Sequence, residues 1–153
     1  MPHIHEKIDF TAQAWIVYED KVLLRFHEKF SEWLGVGGHI ELDEDPIQAL
    51  HREALEEVGL KIILPGEPAE RDPLFTALPA PAFMNRHRIN DSHEHIGMEY
   101  FVLATTDKLV IPDTHEKAEC RWCTREEVLA MDLNPPTRKY ALAALDTLGS
   151  KPI

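Results

Sequence analysis

Cysteine is scarce. The chain has two, Cys120 and Cys123, three positions apart, which leaves no disulfide framework. A reducing cytoplasm is the expected setting. Basic residues are outnumbered: 16 Lys and Arg stand against 27 Asp and Glu, for a formal net charge of −11. A field of that sign repels polyphosphate backbones and argues against non-specific nucleic-acid binding. A small anionic substrate stays open, because a bound cation reverses the local sign. No apolar run approaches the roughly 20 residues that span a bilayer, so no membrane contact is expected. The opening MPHIHEKIDF has neither a basic n-region nor an apolar h-region, and no signal peptide is expected. Internal repeats, low-complexity tracts and linkers are also missing. What is there is an ordinary globular composition, 153 residues of which 44% are hydrophobic, expected to form one domain over 1–153.

Residues 10–18, FTAQAWIVY, are rich in aromatic and β-branched types and predict a strand. Glu19-Asp20 predicts a turn, and 21–26 a returning strand. Residues 31–45 read as a Gly-rich loop ending in acids. A helix over 46–58 follows, with Asp45 as N-cap, Pro46 at its first position, Gln48 completing a capping box and Gly59 as the stop. A strand is expected at 61–64, a long Pro-containing loop over 65–92, a strand at 94–104, a further short one at 108–111 and an edge strand at 121–123. Thr124 begins a helix through Met131, and 135–148 is the last helix. The chain is thus mixed α and β without regular βαβ units.

On the helix over 46–58, about 100° separates successive residues, so Glu56 lies near −60° and Glu57 near +40° of Glu53. The three carboxylates share one face, beside an apolar stripe of Ile47, Leu50, Ala54 and Val58. Like charges at these spacings repel, and Glu56 and Glu57 occupy the last turn, where the helix dipole favours cations. Arg52 alone offers local compensation, while Glu41, Asp43, Glu44 and Asp45 add negative charge upstream. A divalent cation would resolve the imbalance, and clustered carboxylates suit Mg²⁺ or Mn²⁺. A solvated acidic face would carry the same residues, but here the spacing is tied to a glycine pair.

Gly38, Glu44, Arg52, Glu53, Glu56, Glu57, Gly59 and Leu60 read G-x5-E-x7-R-E-x-x-E-E-x-G-L. This resembles the Nudix box, the signature of the Nudix hydrolases, with Ala54 where the family prefers a larger aliphatic residue. The resemblance implies an α/β/α sandwich around a mixed sheet. It also implies metal-dependent hydrolysis of a phosphoanhydride in a nucleoside diphosphate linked to another moiety. Carried over by position, Glu53, Glu56 and Glu57 match the metal-binding glutamates, and the Gly38 carbonyl matches a backbone ligand. Arg52 matches the residue that orients a glutamate, and Glu44 an acid supporting the site or a further metal. The general base in the family comes from the box or from a later loop, where Glu116 would fall. Homodimers are common in the family.

Weaker candidates lie outside the box. Arg25 and His27 share a strand face and could reach phosphate or be solvated. His39 follows Gly38 and could contact phosphate or shape the loop. Trp33 could stack on a base or cover the core. Arg86, in a stretch with Phe83, Asn85 and Arg88, would suit a nucleotide moiety. His3 with His5, and His93 with His95, each share a face if extended, and two such pairs brought together could bind a transition metal; surface histidines are the simpler reading. Cys120-x-x-Cys123 lacks a second ligand pair for zinc and reads as two reduced thiols flanking Trp122.

Two other function classes compete with a pyrophosphohydrolase. Isopentenyl-diphosphate isomerase shares the fold but expects a degenerate box and a dedicated Cys, His and Glu set. A non-catalytic nucleotide sensor expects lost box carboxylates and a second domain. The box is nearly complete, which ranks both lower.

Overall fold

The computed structural model describes residues 7–112 and 118–150. The chain opens with strands β1 (Ile8–Tyr18), β2 (Lys21–His27), β3 (Glu32–Leu34) and β4 (Val36–His39), followed by helix α1 (Pro46–Val58). Strands β5 (Ile62–Ile63), β6 (Phe83–Asn90), β7 (His93–Ala104) and β8 (Cys120–Thr124) lead to α2 (Arg125–Ala130) and α3 (Pro135–Leu148). All eight strands join one mixed sheet. Its spine is the parallel pairing of β1 with β7, in which Asp9 lies beside His95 and Ala14 beside Tyr100. Antiparallel partners extend it: β2 and β4 on β1, β5 and β6 on β7, β3 and β8 on β2.

Alternation along β1 divides the core into two layers. Ala12, Ala14 and Ile16 pack with Ile47, Leu50, Ala54 and Val58 of α1. Trp15 and Val17 point the other way, onto Val128 of α2 and Tyr140, Ala141 and Ala144 of α3. The result is an α/β/α sandwich, one helix on one face and two on the other. Each fully buried Ile, Leu or Val of α1 contributes about 1.5–3 kcal/mol, so the helix is held mainly by its apolar stripe.

The ends of α1 are set by local chemistry. Asp45 accepts from the amides of Ile47 and Gln48 at 2.9 and 3.0 Å, while the Gln48 side chain accepts from the Asp45 amide. Gly59 closes the helix at φ 68°, and a Cβ there would lie 2.7 Å from the Val110 side chain. Two constraints thus require glycine at that position.

The structure departs from the sequence expectations in three stretches. The loop expected over 31–45 contains β3, which is too short to show an alternating pattern, and β4, whose centre is two glycines. The loop expected over 65–92 contains β6, a largely exposed strand whose order comes from its ladder with β7. The segment 108–111 is not a strand: the Val110 amide donates to the Val58 carbonyl at 2.9 Å, across the end of α1.

Candidate active site

The box residues converge where the end of β4 meets α1. Gly38 pairs with Ala12 of β1, so its open side faces the helix. A Cβ at Gly38 would sit 2.6 Å from Glu53 Oε1. The strand therefore leaves a cradle beside that carboxylate, which any larger residue would fill.

Arg52 is the hub. Its Nε and Nη2 donate to Glu44 at 3.0 and 2.6 Å, and Nη1 donates to Glu53 Oε1 at 2.9 Å and Glu56 Oε2 at 3.2 Å. Nη2 also donates to the His39 carbonyl at 3.0 Å. One planar guanidinium thus ties three carboxylates to the strand end, a task its fork geometry suits. Arg52 in turn holds the Glu44 carboxyl below the usual carboxylate range, assisted by the Glu41 amide.

Glu57 is placed differently. Burial pushes its carboxyl up to about 8; Arg25 opposes this, and the neighbouring charges of Glu53 and Glu56 add to it. Arg25 Nε lies 3.3 Å from Glu57 Oε2, an ion pair by distance that lacks hydrogen-bond alignment. That oxygen is accordingly buried with no hydrogen-bond partner. A carboxylate oxygen left unsatisfied next to two further glutamates is a donor set that a hard divalent cation fits.

Of the other candidates, Arg25 belongs to this constellation through Glu57, a contact across β2 and α1 that strand-face reasoning did not supply. Trp33 packs edge-on against Phe26, with ring centroids 5.4 Å apart, on the core layer that holds α3. Arg86 is exposed and paired with Glu94 at 2.5 Å. Glu116, His3 and His5 lie outside the described residues. Cys120 and Cys123 are free thiols, both pushed up by burial.

The side chain of His39 lies away from the glutamates. It pairs in register with Thr11, and its Nε2 is 3.1 Å from that of His95. His93, His95 and Asp9 complete a group whose candidate donor atoms all lie within 4.8 Å of one another. His95 is held down to about 4 by burial, with His39, His87 and His93 adding to the effect and Asp9 opposing it. Asp9 belongs to no motif in the sequence; only the β1–β7 register brings it beside His95. Glu99 likewise belongs to no sequence motif. It is buried on the same sheet face, accepting from Trp15 Nε1 at 2.7 Å and Asn85 Nδ2 at 2.9 Å.

Among the described residues, no helix is long and apolar enough to cross a membrane. The family model for the NUDIX domain matches residues 10–145. A NUDIX-family hydrolase from Clostridium perfringens superposes with a TM-score of 0.79 at 29% identity, covering 91% of this chain and 97% of that one. A MutT NUDIX hydrolase from Burkholderia pseudomallei (TM-score 0.59, 24% identity, 94% of this chain and 99% of that) shows a likeness of fold alone. The same holds for the Ap4A hydrolase of C. elegans (TM-score 0.65, 14% identity, 92% and 97%). No curated protein matches the chain. The matched domain and the glutamate-lined helix agree: the chain belongs to the Nudix family, hydrolases of nucleoside diphosphate derivatives.

Proposed function

We propose that this protein is a Mg²⁺- or Mn²⁺-dependent pyrophosphohydrolase acting on a nucleoside diphosphate joined to a second moiety. Glu53, Glu56 and Glu57 would hold the cation with the Gly38 carbonyl, and Glu44 would support them. The observation that carries the reading is the buried oxygen of Glu57 that has no hydrogen-bond partner, beside Glu53 and the Gly38 cradle. A bound divalent ion supplies neutralisation of the phosphoanhydride charge and a lower pKa for attacking water.

The chain's own residues account for the rest. Arg52 keeps Glu53 and Glu56 oriented and costs no reorganisation during turnover. Glu53 and Glu57 are the candidates for proton acceptor within the box. Glu116 is the alternative base from the later loop. Arg25, which reaches Glu57 from β2, is assigned to the substrate phosphates. The two free thiols agree with a reducing, cytoplasmic setting.

The test is release of phosphate or nucleotide with Mg²⁺ across nucleoside triphosphates, an ADP-sugar and a dinucleoside polyphosphate. Glu57→Gln is expected to lower turnover by about 10³-fold. Full metal-dependent turnover in that variant would remove the assignment. Tight nucleotide binding without turnover across the panel would favour a sensor.

A further inference from the structure

On the sheet face opposite α1, three strands bring together Asp9 of β1, His39 of β4, and His93 and His95 of β7. The faces are set by register. Asp9 pairs with His95, His93 is two residues away on the same strand, and His39 pairs with Thr11, two residues beyond Asp9. Gly38 precedes His39 and faces Glu53, so consecutive residues of β4 serve opposite sides of the sheet.

The donor separations are short. His95 Nε2 lies 3.1 Å from His39 Nε2 and 3.2 Å from His93 Nε2. Asp9 Oδ2 lies 3.3 Å from His93 Nε2 and 3.8 Å from His39 Nε2. Ring centroids are farther apart, 4.8 Å for His39–His95 and 5.0 Å for His93–His95, with planes at 88° and 89°. The imidazoles therefore converge through their Nε2 atoms. Hydrogen bonding does not satisfy this arrangement, because one imidazole nitrogen either donates once or accepts once, and His95 Nε2 faces two others. A tetrahedral ion does satisfy it: bonds of about 2.0–2.1 Å place neighbouring ligand atoms about 3.3 Å apart.

We propose that Asp9, His39, His93 and His95 form a second cation site, specific for a zinc-class transition metal and separate from the glutamate cluster. Three imidazoles and one carboxylate suit zinc, whereas the all-oxygen glutamate set suits magnesium. Asp9 and His39 are about half exposed, which leaves the ion a route in. The site would pin β4 from behind. His39, whose ring would bind the ion, accepts from Arg52 through its carbonyl, so the ion would brace the strand end on which the arginine hub rests.

The test uses the full chain, stripped with chelator and titrated with Zn²⁺ or Co²⁺ alone. One ion per chain is expected at the histidine site, with the intense visible absorption of tetrahedral cobalt. His95→Gln and, separately, the nearly isosteric Asp9→Asn are each expected to weaken zinc binding at that site at least about 100-fold, more than loss of an outer-sphere partner. A Glu53→Gln, Glu57→Gln double variant is expected to keep it. Nuclear magnetic resonance gives a readout independent of folding in any variant: zinc should shift the imidazole signals of His39, His93 and His95 and leave that of His51 in place. Zinc affinity lost in the glutamate variant but kept in both histidine-site variants would overturn the proposal. So would wild-type protein that leaves these imidazole signals unmoved.

Discussion

The glutamate cluster and the histidine cluster lie back to back across one strand, and they are assembled in opposite ways. Glu53, Glu56 and Glu57 come from a single helix, so the constant twist of that helix brings them together. Arg52, from the same helix, binds two of them. Asp9, His39, His93 and His95 come from three strands, and two of the paired rings are 56 positions apart. The first cluster is local and carries its own counter-charge. The second exists only where β1, β4 and β7 are in register. Two clusters of ionisable side chains are thus encoded at two ranges in one small sheet, with His39 joining them through its carbonyl.

The comparison can be pressed hardest at Arg52. Lysine keeps the charge but loses the fork that reaches Glu44, Glu53 and Glu56 together. Arg52→Lys is expected to lower kcat about 100-fold, with KM little changed, while zinc binding to the histidines persists. Steady-state kinetics and a zinc titration of the same preparation check both halves. If both functions fell together, the clusters would not be separable.

A smaller change fills the cradle. Gly38→Ala places a Cβ against Glu53 Oε1, and we expect Mg²⁺ affinity to fall about tenfold. Calorimetric titration with Mg²⁺ gives the answer directly, and unchanged affinity would mean that the glutamate swings aside at no cost.

The pH dependence sharpens the contrast further. Glu57, pushed up to about 8, keeps a proton that the unfolded chain releases near 4.5. Between those values the native state binds more protons, so the metal-free protein should lose stability as pH rises. Thermal melts in chelator should show Tm falling by a few degrees across that window, and Glu57→Gln should flatten the slope. Metal binding must displace the same proton, so Mg²⁺ affinity should rise with pH over the same window.

The smallest effect is expected at the helix start. Asp45→Ala removes the acceptor for two amides and should cost about 1 kcal/mol by denaturant unfolding. Little change in zinc binding is expected, because the cap serves the helix and not the strands.

Local and long-range interactions differ in how far a sequence displays them. Asp45, Pro46, Gln48 and Gly59 bounded α1 correctly because caps act within a few residues. β6 was hidden because its residues are mostly exposed and carry no apolar alternation. Arg25 was legible as a face-sharing cation on β2, but its partner Glu57 was not, since the contact depends on how α1 lies on the sheet.

By itself, the sequence determined the acid-lined helix, because helical rise and twist turn spacing into geometry without help from the rest of the chain, and its motif carried the resemblance to the family. Only the tertiary structure decided which oxygen of Glu57 is buried without a hydrogen-bond partner, which histidines meet, and that Asp9 meets them. Those outcomes depend on strand register and helix docking, which are settled by burial of apolar surface between residues far apart in the chain.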